Sequence, residues 1–182
     1  MLKNIELEIE TIISKSKVPE DSIHSQNTRE WVLKLKPEAD TALQMAALGH
    51  DIERSIEERK IKRENFTDYN EFKKTHSQNS AAILQEILLN YDADQDFIDK
   101  VVHLVLLHEV GGTPEANILK YADSISFFDV NLPFYFQRNS ERETAFRMKW
   151  GYKKLSQAAK SIVRNFSYDD VALKTLFNKI IS

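Results

Sequence analysis

Apolar side chains along this chain recur every three or four residues and no stretch alternates as a strand would, the pattern of amphipathic helices packed together. Leu2, Ile5, Ile9, Ile12 and Ile13 trace one face of a first helix reaching about Lys15, ahead of Pro19. A second helix is expected from about Glu20 to Leu35, and Pro37 then opens a third in its first turn. That third helix carries Leu43, Ala46, Ala47 and His50, with Gly49 allowing close backbone approach. The charged stretch from Glu53 to Glu64 reads as a loop or frayed helix. The segment from Thr67 to Glu71 is a cap region for a long fourth helix ending near Tyr91, and Asp92 or Asp94 caps a fifth that ends at Gly111-Gly112. Thr113, Pro114 and Glu115 supply cap, first-turn proline and a favourable acid for a sixth helix to about Val130, with Pro133 ending that region. Ser140 to Glu143 begin a seventh helix to about Asn165, and Asp169 to Ile181 make a short last one.

Glycine and proline number 4 each and fall where helices stop, with no repeat, low-complexity stretch or linker between. The reading is all-α: one domain, residues 1–182, built as a bundle of seven to eight helices.

Several polar residues fall on the apolar stripes of these helices. By helical spacing His24 shares a face with Trp31 and Leu35, His50 with Leu43, Ala46 and Ala47, and His76 with Phe72, Ile83 and Ile87. Asp123 aligns with Leu119 and Phe127, and His108 sits in a helix that is apolar almost all round. Burying an unpaired polar group costs several kcal/mol and burying a charge costs more, so something must compensate. A divalent cation does so, with neutral imidazoles and ionised aspartates completing its coordination. Taken singly, each is as well explained by a hydrogen-bonded core histidine or a helix cap; the joint placement is what points to a metal centre.

Composition narrows the chemistry. There is no cysteine, so a transition metal must be held by His, Asp, Glu and water. The net charge is -3, with basic residues scattered among acidic ones, which argues against a nucleic-acid-binding surface and for a small-molecule substrate. The most apolar run, Val101 to Leu107, is interrupted by His103 and is too short for a bilayer, and acidic residues near the start are unlike a signal peptide. A soluble, cytoplasmic protein is expected. Glycine-rich phosphate loops are absent from the sequence.

A histidine, His24, then the doublet His50-Asp51 in Leu48-Gly49-His50-Asp51-Ile52, then Asp123 in Leu119-Lys120-Tyr121-Ala122-Asp123 together resemble the signature of the HD-domain superfamily of metal-dependent phosphohydrolases. The resemblance runs from about His24 to Phe128. It implies a helical bundle of the HD type, with the metal-site core at about 20–130 and helices from about 140 to 182 packed on it. It also implies that His24, His50, Asp51 and Asp123 hold a first metal. Members with two metals add histidines between the doublet and the last aspartate, where His76 and His108 stand; Asp51 would then bridge the ions. Many relatives carry Ile-Gly-Lys after the doublet, whereas this chain has Ile52-Glu53-Arg54, and Asn27 stands where an arginine commonly follows the first histidine.

The activity so implied is hydrolysis of a phosphate ester, of a nucleotide or related small metabolite, by metal-activated water. One or two ions per chain, Mn, Fe, Co, Ni, Zn or Mg, suit a nitrogen and oxygen ligand set. Arg54 and Lys120, each about a turn from a ligand, are expected to bring cations to the phosphate, alongside Asp51 as catalytic residues. Glu53 and Glu109 are placed at the surface, and His103, some 140° from His108 round the helix, ranks last of the five histidines as a ligand, a core hydrogen bond or the surface being the better reading. The basic and aromatic run from Arg138 to Lys154 could contact phosphate and stack on a base, although an amphipathic helix with solvated charges explains it as well. The rival reading is a catalytically weak or inactive metal-containing module that senses a nucleotide; relatives often form homodimers.

Overall fold

The computed structural model describes residues 1–181. All regular elements among them are helical, in one compact domain. In chain order they are α1 (Leu2–Ile13), α2 (Asp21–Leu35), α3 (Thr41–Gly49), α4 (Tyr69–Asn90), α5 (Gln95–Leu107), α6 (Pro114–Ser126), α7 (Leu132–Arg138), α8 (Glu141–Lys153), α9 (Gln157–Arg164) and α10 (Val171–Ile181). Short 3-10 turns at Ile52–Ser55 and Arg63–Asn65 interrupt the charged connection between α3 and α4. Among the described residues no helix is long and apolar enough to cross a membrane.

Most starts and stops obey the capping chemistry of the sequence. Asp68, Asp94 and Thr113 each accept hydrogen bonds from the first turn of α4, α5 and α6, satisfying donors that a helix start leaves open. The start of α3 differs from expectation. Pro37 lies outside the helix, and Asp40 is the cap, accepting from the Leu43 backbone at 3.0 Å. Ten helices replace the expected seven to eight for two reasons. Ser156 breaks the predicted seventh helix by capping α9, accepting from the Ala159 N–H at 3.2 Å.

The second reason lies at Pro133, which does not end the sixth helical region. The chain instead widens into a π-helical turn, Phe127–Asn131, and continues as α7 with Pro133 in its first turn. In that wide turn the Leu132 N–H bonds to the Phe127 carbonyl. The next carbonyl, Phe128, would need the N–H of residue 133, which proline lacks. The buried Tyr168 hydroxyl donates to it instead, at 2.6 Å.

Two apolar clusters fill the interior. The first joins Ile5 and Ile9 of α1 to Leu43 and Leu48 of α3, Leu84 and Leu88 of α4, and Ile98 and Val105 of α5. The second joins Phe128 to Met148, Val163, Leu173 and Phe177 of α8 to α10, and Trp31 and Leu35 of α2 pack against both. Gly49 marks the tightest crossing: a Cβ there would come within 2.6 Å of the Leu84 Cδ2 atom, with Leu84 itself fully buried. Gly49→Ala should therefore cost about 1–3 kcal/mol by overpacking, and Leu84→Ala about 2–5 kcal/mol by cavity formation. Denaturant unfolding of the double variant should give a loss smaller than the two single losses combined, because each change relieves the other.

Candidate metal centre

His24 lies in the first turn of α2, and Ser126 at the end of α6 orients it. The Ser126 hydroxyl donates to the His24 carbonyl at 3.3 Å, so its oxygen accepts from His24 Nδ1 at 2.9 Å and the lone pair is left on Nε2. His50 and His108 follow the last residues of α3 and α5 and use a common local geometry. Each Nδ1 donates to the carbonyl three residues back, Ala47 at 2.9 Å and Val105 at 2.7 Å. A carbonyl can only accept, which assigns a proton to Nδ1 and leaves Nε2 as the nitrogen that bears the lone pair whenever the ring is neutral. The partial negative charge of these helix ends also favours a nearby cation. His76, midway along α4, donates from Nδ1 to Glu53 Oε1 at 2.7 Å and turns Nε2 to Asp51 Oδ1 at 2.8 Å.

Two groups result: His24, His50 and Asp123, then Asp51, His76 and His108, with the candidate ligand atoms of each within 4.8 Å of one another. Asp123 Oδ1 lies 3.2 Å from His24 Nε2 and 3.6 Å from His50 Nε2. Asp51 stands between the groups, its Oδ1 3.7 Å from His50 Nε2 and 3.9 Å from His108 Nε2, and its Oδ2 3.9 Å from His24 Nε2.

Nε2 of His50 and Nε2 of His108 are both buried without a hydrogen-bond partner. Leaving such an atom unsatisfied costs roughly 1–3 kcal/mol, and here two are aimed at the same carboxylate. The six residues thus fit a divalent cation: they could hold one, through nitrogen and oxygen donors of the type that Mn, Fe, Co, Ni or Zn accept. Charge balance agrees. Burial alone would lower the His50 and His76 imidazoles, yet Asp51, with Asp123 beside the one and Glu53 beside the other, raises both to about 9. His108 is pushed down to about 4 by burial. Burial would raise Asp51 and Asp123, but the surrounding imidazoles, with Arg54 at Asp51, hold both carboxyls well below their usual range. Imidazolium protons of His50 and His76 thereby balance the carboxylates in the ion-free chain, and a divalent cation held there would take over that role as those protons leave.

The centre forms the floor of a cleft of ≈ 470 Å³. Of the other predicted site residues, Arg54 lines it, pinned by 2.9 Å contacts to Asp21 and Asp51. Lys120 is not in the cleft lining; its ammonium donates to the Val110 carbonyl at 3.3 Å, because its spacing from Asp123 turns it to the α5–α6 connection. Glu53 and Glu109 are buried rather than at the surface. Glu53 holds His76 and accepts from the Ile61 N–H, while Glu109 accepts from Lys73 and from Lys154, the latter at 2.9 Å. Burial would raise Glu109, but Lys73, His108 and Lys154 hold it down at about 2. The Glu53 contact had no local signal, its partner being 23 residues away. His103 is exposed and remote from this chemistry.

The family profile described as "Domain of unknown function (DUF4202)" matches residues 7–176, nearly the whole chain and every residue of the centre. The chain belongs to this family. Searches of curated proteins and of solved structures give no match.

Glu53→Ala should weaken metal binding about 10–100-fold, measured by competition with a chelator, because His76 loses the acceptor that fixes its tautomer; Glu53→Gln, which keeps an acceptor oxygen, should lose less. Asp51→Ala and His50→Ala should lose the ion, and His103→Ala should keep it. Chelation should lower the Tm, free ion at about 100 times its Kd being worth roughly 2.7 kcal/mol.

Proposed function

We propose that the protein is a metal-dependent phosphohydrolase of the HD-domain type, cleaving the phosphate ester of a nucleotide or related small metabolite. The observation that carries this reading is the pair of His/Asp groups joined through Asp51 at the floor of a cleft whose walls bear arginines and lysines. A divalent ion held there supplies Lewis acidity toward a phosphoryl oxygen and lowers the pKa of water from about 15.7 toward about 7. The protein itself does the rest. Arg54, fixed between Asp21 and Asp51, and Arg138, fixed by Glu20 at 2.9 Å, present guanidinium groups to an anion entering the cleft. Glu53 keeps the proton on His76 Nδ1, and the Ala47 and Val105 carbonyls do so for His50 and His108. Burial of all four histidines keeps water from competing for their inward nitrogens.

One observation favours a second reading, a metal-containing module that senses a nucleotide without turning it over. Arg54 is already spent on two aspartates, which reduces what it can give to a transition state. The two readings part on turnover. Protein purified without added metal should contain a transition ion by elemental analysis. With manganese it should release phosphate from at least one ester in a broad panel, and Asp51→Asn should bring the rate down to that of chelated protein. Equal rates for wild type and Asp51→Asn would overturn the hydrolase; bound ion with nucleotide binding and no release across the panel would establish the sensor.

A further inference from the structure

Four arginines line the cleft, and they differ in what they are committed to. Arg54 is neutralised by Asp21 and Asp51, and Arg138 by the buried carboxylate of Glu20. Arg63 and Arg147 have no carboxylate partner among the described residues. Arg63 donates to the Phe66 carbonyl and lies 5.4 Å from the Tyr69 ring centre; Arg147 lies 4.2 Å from that of Phe127 and 4.9 Å from that of Trp150. Aromatic faces hold a guanidinium in place while leaving most of its in-plane donors unspent. The two arginines come from different parts of the chain, one from the turn before α4 and one from α8, and the edge contact of Tyr69 with Trp150 at 5.3 Å joins those walls.

The position of this pair relative to the metal centre follows from α4. Tyr69 precedes His76 by seven residues, about 10 Å along the helix axis. Phe72 lies between them, 5.9 Å from Tyr69 and 6.3 Å from His76 by ring centres. A simple phosphate monoester on the floor would leave both rim guanidinium groups without an anion.

We propose that Arg63 and Arg147 clamp a second phosphate of the substrate, about 10 Å from the phosphate held over the metal centre, with the body of the molecule lying along Phe72 and Tyr69. The substrate class is then a small molecule phosphorylated at both ends. This deepens the phosphohydrolase reading and rests on it for the role of the first phosphate.

The clamp needs no metal, and Arg54 and Arg138 remain in the cleft to meet the first phosphate without one, so its test is binding to the chelator-treated full chain, followed by calorimetry. Hexane-1,6-diol bisphosphate, long enough to span the interval, should bind at least tenfold tighter than hexyl phosphate, and ethylene glycol bisphosphate, too short to span it, should not share the advantage. Arg63→Ala/Arg147→Ala should bring the long bisphosphate down to the level of hexyl phosphate, with folding checked by circular dichroism. Arg147→Lys, which keeps the charge without the fork, should retain part of the preference, and Lys149→Ala, exposed on the same helix, all of it. Equal binding of the long bisphosphate and the monoester by wild type, an equal advantage for the short bisphosphate, or a preference that survives the double variant would overturn the clamp. Hydrolysis with manganese is scored separately: intact preference without phosphate release would reject the hydrolase and leave the clamp standing.

Discussion

Four buried imidazoles are held by their outer nitrogens so that their inner ones have nowhere to go except toward Asp51 and Asp123. Two of those outer contacts are backbone carbonyls at helix ends, one is a serine whose own proton is committed to backbone, and one is a buried glutamate. Two of the four orientations are therefore fixed by the helix ends themselves, and the other two by buried side chains, Ser126 and Glu53, that packed helices hold in place. Leaving Nε2 of His50 and of His108 without partners is unfavourable for folding. Two such atoms on converging helices, facing the same carboxylate, make this a candidate site for a cation.

The same constraint explains features of the fold far from the histidines. The end of α6 brings Ser126 to His24, and the π-helical turn that follows carries the chain past Pro133 without breaking the bundle. Its Asp129 reaches back to α2, accepting from Asn27 at 3.0 Å and Trp31 at 2.8 Å, so the helix that carries His24 is tied to the helical segment that carries Asp123. Tyr168 from the C-terminal region completes the turn at Phe128, a contact inside the second apolar cluster, and Trp31 and Leu35 of α2 join that cluster to the first.

The C-terminal helices also shape the cleft. Lys154 reaches Glu109, beside His108, and Arg138 reaches Glu20, near the start of α2. Each contact pairs a cation from the later part of the chain with a buried carboxylate near the metal centre, where the low dielectric penalises loss of either partner. Arg147 comes from α8 between them, which is how the rim acquires a charge that the central helices alone do not provide.

The all-helical class, most helix limits and five of the six candidate ligands are legible in the sequence because they rest on local rules: the 3.6-residue period, caps within three residues, and polar side chains on apolar stripes; Asp51 comes with the doublet's resemblance to the HD-domain signature. Asp68, Asp94 and Thr113 cap where their side chains suit, and His24, His50, His76, His108 and Asp123 lie inward as their stripes require. Tertiary structure decided what depends on partners distant in the chain: that Glu53 is buried against His76, that Lys120 turns to the Val110 carbonyl, and that the region around Pro133 continues as helix because Tyr168 supplies a donor proline cannot. Periodicity states which face of a helix is turned inward. Which group meets it there depends on the packing of segments 10 to 102 residues apart, and no local rule carries that information.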